Sequence, residues 1–401
     1  MPKLLPSPPS IPLTQPEADR EALSRIRREN PPYMRVVVER EGLDRARALA
    51  EAKRKVFPNL IVIGMGGSIL GTEAITEFIR PSKSLYFLDN PEEARLKQAR
   101  KLVKKGTWGV LAISKSGTTL ETMTMLSLLW EPLKATHGER AGEFVVMLTA
   151  SPDSPLGKWA AKEKAAVLPM PADLSGRFSA FSTVGTFPLL FAGYDVDALL
   201  EGAKEGFDLL EAPLGKNPIT AAAQVLLGRP FSPLVLFVYG SHLRTLGRWF
   251  QQLWAESLGK DGKFGQLPFV AVGTADQHSI LQMLIDVPQS AVVWVWAGPE
   301  GKRIVPDLGP FGSGTRGIPL SSYLKAACQG VFEALGERGA DRLFLGFDRK
   351  NAFSAGESLA MLMILTHFTS LRLGVSTFDQ PGVELAKKIT VGKLQEEGQL
   401  R

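Results

Sequence analysis

Thr107-Trp108-Gly109-Val110-Leu111-Ala112-Ile113 is an apolar run of the length of a buried strand, and Ser114-Lys115-Ser116-Gly117-Thr118-Thr119 breaks it. Leu120-Glu121-Thr122 follows, and Met123-Thr124-Met125-Leu126-Ser127-Leu128-Leu129-Trp130 then reads as a helix start. A strand ending in small hydroxylated residues at a helix N-terminus gathers free N–H groups, a partial positive charge and neutral hydroxyl donors. Such a loop suits a phosphate monoester. Ser and Thr are equally favoured there as plain N-caps, so these residues alone leave a ligand loop and an empty loop level.

The same grammar repeats on either side. Asn59-Leu60-Ile61-Val62-Ile63-Gly64 reads as a buried strand running into Met65-Gly66-Gly67-Ser68 and a helix over Thr72–Ile79. Ser84–Asp89 and Glu143–Thr149 supply two more strands, with helical segments between them. This alternation predicts a parallel, doubly wound sheet with ligands at the carboxyl ends of its strands. The Gly64 loop has the first two glycines of a dinucleotide fingerprint, and Asp89 stands where a ribose-binding acid would. Ile69, however, occupies the position that needs a third small residue. A hydride-transfer enzyme is therefore the weaker reading, and Gly67 and Ser68 are expected nearest a sugar phosphate. The nucleotide-hydrolase phosphate loop is absent, since Gly259-Lys260 is followed by Asp261.

Farther along, Ser175-Gly176-Arg177 places an Arg in a hydroxyl-rich loop; alone it fits a surface residue as well as an oxyanion fork. Residues 195 to 228 read as helical. A second alternating set follows, with strands over 233–240, 291–296 and 341–346. Between the first two lies a helix holding Gln252 and Glu256 and stopping at Gly259. Its C-terminal dipole disfavours an anion, which would suit Glu256 as a base, although an exposed pair with Lys260 is the commoner arrangement. His278 stands in a polar turn, and Gln380-Pro381 opens a last helix carrying Lys387 and Lys388. Residues 1 to 57 read as a Pro-rich arm and helices over 16–29 and 44–55, without a core of their own.

Composition narrows the class. At 401 residues the chain exceeds one comfortable core, and its 44% hydrophobic and 22% charged content is that of an ordinary soluble protein. A net charge of +6 invites a nucleic-acid reading, yet the densest basic stretches, 45–55 and 95–105, look like solvated helix faces. One cysteine, Cys328, excludes an internal disulfide and suits a reducing compartment. No apolar run reaches a membrane span, and the first residues lack the apolar stretch of a signal peptide, so a cytoplasmic protein is expected. The four histidines form no metal-spaced pair, and neither a metal nor a cofactor is expected.

Taken in order, these pieces resemble the glucose-6-phosphate isomerase family of sugar-isomerase (SIS) domain proteins. Ser114 to Thr122 is similar to its Ser-Lys-Thr-x-Thr-Thr-x-Glu-Thr signature, and Glu256-Ser257-Leu258-Gly259-Lys260 to its Glu-Ser-Asn-Gly-Lys. The Gln277-His278 pair and the 380–387 segment follow in family order. The resemblance implies an α/β fold of two doubly wound parallel-sheet, SIS-like domains. They would span 58–210 and 211–375, with an arm over 1–57 and a C-terminal turn and helix over 376–401.

It implies interconversion of glucose 6-phosphate and fructose 6-phosphate through a cis-enediolate, in glycolysis and gluconeogenesis. The enzyme would be a homodimer with shared sites and need no metal. Glu256 takes the place of the proton-transferring base, Arg177 of the Arg beside the enediolate, and His278 and Lys387 of the ring-opening pair. Gly67, Ser68, Ser114, Lys115, Ser116, Thr119 and Thr122 match sugar or phosphate contacts, and Gln252 and Gln380 match substrate-side glutamines. Ser116, Gly117, Leu258, Pro381 and Ala386 depart from the pattern. These leave a related sugar, mannose 6-phosphate among them, open.

Overall fold

The computed structural model describes residues 3–7, 15–39, 41–103, 107–306 and 317–397. Two five-stranded sheets organise it. The first is built from β2 (Asn59–Ile63), β3 (Leu85–Leu88), β4 (Trp108–Ile113), β5 (Val145–Thr149) and β6 (Ala166–Pro169), in the order β3-β2-β4-β5-β6. Every ladder in it is parallel. Its central strands are apolar on both faces because helices cover both sides, so they show no alternation. The second comprises β1 (Lys3–Ser7), β7 (Leu234–Tyr239), β8 (Pro268–Gly273), β9 (Val292–Ala297) and β10 (Arg342–Gly346), ordered β1-β10-β9-β7-β8.

The two orders are one plan used twice. Counting from β2 in one sheet and from β7 in the other, the second strand flanks the first on one side, and the third and fourth continue on the other. The fifth positions differ: β6 is parallel to β5, whereas β1 comes from the chain's beginning and runs antiparallel to β10. The proline-rich arm is thus partly strand. Its residues 1–2 and 8–14 lie outside the described residues.

Helices complete the layers. In the first half these are α1 (Pro16–Glu29), α2 (Pro32–Val38), α3 (Glu41–Val56), α4 (Leu70–Ile79), α5 (Glu93–Val103), α6 (Leu120–His137) and α7 (Pro155–Lys162). Then come α8 (Thr183–Phe191), α9 (Val196–Phe207), α10 (Pro218–Leu227) and α11 (Arg244–Leu258). The chain closes with α12 (Leu281–Asp286), α13 (Leu320–Glu337), α14 (Ala352–Leu373) and α15 (Pro381–Glu396). The basic face expected over 45–55 is not wholly solvated: Lys53 is buried and its Nζ donates to the Glu143 carbonyl at 2.5 Å. Residues 104–105 of the other basic stretch lie outside the described residues.

One long helix is invisible to periodicity. Helix α14 is buried on nearly every side as far as Ser370, packed on α9, α10 and α11, so it shows no polar stripe. Asn351 caps its start and Gly374, in a left-handed conformation, its end. Helix α13 follows a stretch outside the described residues. No helix among the described residues is long and apolar enough to cross a membrane.

The site is set by α4 and α11, the helices that follow the first strand of each sheet. They pack on each other, bringing the loop before α4 to the last turns of α11.

Candidate active site

The crevice of the first sheet opens between β2 and β4, whose connections leave in opposite directions. The loop after β2 contains a 3-10 turn over Gly66–Ser68. A side chain at Gly67 would meet the Gly176 carbonyl carbon at 2.3 Å and the Arg177 nitrogen at 2.4 Å. Only glycine lets this turn lie on the turn that carries Arg177, so one residue fixes two walls of the site.

The loop after β4 is held from behind. Ser114 Oγ stands 2.8 Å from Thr119 Oγ1, and the Thr119 N–H donates to Ser114 Oγ at 3.4 Å. Ser116 Oγ accepts from the Thr118 hydroxyl at 2.8 Å. The Ala150 N–H donates to the Lys115 carbonyl at 3.1 Å and the Leu156 N–H to that of Gly117 at 3.3 Å. Gly117 sits at φ +65°, and a Cβ there would fall 1.9 Å from Ser154 Oγ. The departure from the family pattern at Gly117 is therefore matched by a serine pressed onto the loop. Lys115 Nζ donates to the Leu174 carbonyl at 3.0 Å, and burial pulls its pKa down. Thr122 is fully buried with its hydroxyl 3.5 Å from the Ile113 carbonyl, behind the loop.

Opposite these loops, Arg177 is buried rather than at the surface, at 1% exposure. Its Nε donates to Ser257 Oγ at 2.8 Å. Its Nη1 donates to Glu256 Oε2 at 3.2 Å and Gln380 Oε1 at 2.9 Å. Its Nη2 donates to the carbonyls of Thr377 at 2.5 Å and Asp379 at 3.0 Å. All five guanidinium hydrogens are thus engaged, and the planar fork is held in one orientation. Burial lowers its pKa, against the raising fields of Glu256 and Asp379.

The Glu256 carboxylate receives Arg177 on Oε2 and, on Oε1, Gln252 Nε2 at 2.9 Å. Gln252 and Glu256 lie one turn apart on α11, which puts both on one face. The expected Glu256–Lys260 pair does not form. Lys260 instead donates to Asp379 Oδ1 at 2.5 Å and to the Ser376 carbonyl, because the chain after Gly374 folds back over the end of α11. Ser257, Lys260, Thr377 and Asp379 are the supporting groups that sequence reading missed. Only Ser257 and Lys260 had a signal, inside the Glu-Ser-Leu-Gly-Lys stretch.

Arg177, Glu256, Gln252 and Gln380 therefore meet at hydrogen-bonding distance, beside Gly67. His278 and Lys387 do not join them. His278 is exposed in a 3-10 turn after β8 and, among the described residues, shares no hydrogen bond with the Arg177–Glu256 group. Lys387 is exposed on α15, and its Nζ donates to Glu384 at 2.7 Å. No group of three or more His, Cys, Asp and Glu among the described residues could hold a metal ion.

An arginine-bound carboxylate beside two loops rich in N–H and hydroxyl donors has the groups that proton transfer on a phosphorylated substrate calls for. The sequence profile of the phosphoglucose isomerase family matches residues 45–292, which include Gly67, the β4 loop, Arg177 and Glu256. The chain belongs to that family. A glucose-6-phosphate isomerase of Rubrobacter xylanophilus is 32% identical, with 94% of this chain and 92% of the relative covered. One from Thermus thermophilus is 34% identical, covering 90% of each chain. A solved structure described as a hypothetical protein from Thermus thermophilus superposes with a TM-score of 0.91 at 31% identity. It covers 98% of this chain and all, 100%, of that one. In this family member, then, the family's segment ends as β9 begins, while Gln380 and α15 lie beyond it.

Proposed function

We propose that Glu256 moves a proton between C1 and C2 of an open-chain hexose 6-phosphate through a cis-enediolate. The reaction is the interconversion of glucose 6-phosphate and fructose 6-phosphate. One carboxylate suffices, since it takes the proton from one carbon and returns it to the other on the same face. The observation that carries the reading is the Arg177–Glu256 pair at 3.2 Å, with Arg177 at 1% side-chain exposure. Fixed positive charge where an oxyanion develops stabilises the enediolate. Gln252 orients the carboxylate, and Gln380 and Arg177 exchange their mutual bond for bonds to sugar oxygens. Ser114, Lys115, Ser116 and Thr119 with Gly67 and Ser68 receive the phosphate, and Thr122 supports their loop.

His278 and Lys387 open the ring, and His278 is supplied by a second copy of the chain. Its exposure and its separation from the Glu256 cluster support a shared site in a homodimer. We divide the chain at 58, 211 and 376, which separates β2–β6 from β7–β10 while β1 of the arm joins the second sheet, and place it in the cytoplasm, free of nucleic acid.

Purified protein should convert fructose 6-phosphate with a chelator present; loss of activity restored by a divalent ion would overturn the metal-free scheme. A Glu256→Gln chain refolded with a His278→Ala chain tests the sharing. Mixed dimers hold one intact site each, so about a quarter of all sites should recover in a symmetric dimer. Activity equal to the mean of the two parents would place both residues in one chain's site.

A further inference from the structure

The seam between α4 and α11 continues outward from the site as a line of charge that the chemistry above does not use. Helix α4 carries Glu73 and, one turn on, Glu77; α11 carries Thr245 and Arg248 upstream of Gln252 and Glu256. Thr245 Oγ1 donates to Glu77 Oε2 at 2.5 Å. Glu73 Oε2 is shut off from solvent with no hydrogen-bond partner. Asp89, just past the end of β3, adds a further negative charge that acts on Glu73 and is itself bound by Arg95 at 2.7 Å.

We propose that the Glu73 carboxyl, wedged between α4 and α11 beside Glu77 and Asp89, is a positioning residue for the isomerisation. It sets how the Gly66–Ser68 loop stands against the Gln252–Glu256 edge. The inference rests on the isomerase reading of that edge. Glu73 lies in the first turn of α4, and its N–H donates to the Ile69 carbonyl at 3.0 Å, directly after the loop. At the loop itself Gly66 touches Gln252: a Cβ there would lie 2.7 Å from Gln252 Nε2. A displacement of α4 along α11 is therefore felt at the glutamine that orients Glu256.

The local charges give the device a direction. Burial first, then Glu77 and Asp89, push the Glu73 pKa up to about 7, while Arg248 and Arg95 oppose them. Helix α8, also packed on α4, carries no ionisable side chain, and His242 meets α4 at Phe78, farther along. Helix α14 and the Arg177 turn, packed on α4 as well, bring Glu357, His367, Arg372 and Arg177. None of these is among the charges that act on Glu73. Neutral Glu73 sits quietly in the seam. Ionised Glu73 repels two carboxylates and draws in water, which loosens α4 and the substrate loop.

The test compares wild type, Glu73→Gln and Glu73→Ala on fructose 6-phosphate from about pH 6 to about pH 8.5, a range that brackets the ionisation. Ionisation of the substrate phosphate affects all three proteins alike and cancels in their ratio. Relative to Glu73→Gln, wild-type KM should rise roughly three- to tenfold across the range with kcat within about twofold. Glu73→Ala, lacking the wedge, should show a raised KM at every pH. Amide exchange over residues 66–68 gives a readout free of activity. It should be faster in wild type than in Glu73→Gln at the alkaline end and equal at the acid end. Superimposable KM profiles with identical exchange would overturn the proposal. A wild type that does not isomerise would instead overturn the functional reading, and the exchange comparison would still judge Glu73.

Discussion

The two sheets share a strand order, yet among the described residues their crevices are lined differently. Between β2 and β4 the chain places Gly67, Ser68 and the hydroxyls of Ser114 and Thr119. The matching crevice, between β7 and β9, is filled by its own residue His242, whose side chain is 7% exposed. The backbones of Gly240 and Gly298 press on that ring: a Cβ on either would lie 2.6 Å or 2.4 Å from its atoms. Phe78 of α4 covers it with ring centroids 6.0 Å apart. Topology supplies a crevice to each half, and the first residues after the strand decide whether a ligand can enter. The second half contributes instead through the far end of its helix, where Gln252 and Glu256 reach across to the first half's loops.

If chemistry resides at the end of α11 and binding at the loops of the first sheet, the two should separate by mutation. The largest effect is expected at Glu256→Gln, which keeps the shape and the Gln252 contact but removes the base. Turnover should fall roughly 10²–10⁴-fold with substrate affinity largely retained. A loss within a few-fold would put the base elsewhere and remove the division of labour between the halves.

Next in size is the loop. Ser114→Ala with Thr119→Ala should weaken inorganic phosphate inhibition and fructose 6-phosphate binding together, by roughly 10- to 100-fold, since each lost hydroxyl removes a hydrogen bond to a charged group. Phosphate inhibition unchanged from wild type would show that the anion is held by something other than this crevice.

The comparison also shows what the sequence could tell. Strands β2, β3, β4, β5, β7, β9 and β10 were legible because parallel strands of a covered sheet are short apolar runs bounded by small or polar residues. Strand β6 is a half-exposed edge strand ending in Pro169, β8 is too mixed to show that signature, and β1 sits among prolines. At the site, Glu256, Arg177, Gln252 and Gln380 could be read from motif order. Arg177 alone looked like a surface residue, because nothing local reveals that Ser257, Thr377 and Asp379 will close around it. Nor does spacing reveal that Lys260 will leave Glu256 for Asp379, a partner more than a hundred positions away.

The smallest expected effect lies in the filled crevice and concerns stability rather than rate. His242 Nδ1 faces Glu300 at 3.3 Å while its Nε2 is buried without a partner. Burial, reinforced by Lys350, pulls its pKa down to about 4. In the unfolded chain a histidine titrates near 6.5, so between these values the unfolded state binds the extra proton and the folded state does not. Stability therefore rises with pH through this window and is lost as the pH falls below about 6.5, by about 2 kcal/mol near pH 5 from this ring. His367, bonded to Tyr33 at 3.1 Å and likewise pulled down to about 4 by burial, adds a parallel loss that every variant shares. His242→Gln cannot be protonated, so its stability relative to wild type should climb by that amount between about pH 7 and about pH 5 in denaturant titrations. Its KM for fructose 6-phosphate near neutrality should stay within about twofold of wild type, because the ring is packed into the second crevice, away from the Arg177–Glu256 group. A parallel pH dependence in the two proteins would mean that His242 already exchanges protons freely when folded. A large rise in KM would mean that the second crevice is coupled to the first, and the contrast between the two halves would have to be redrawn.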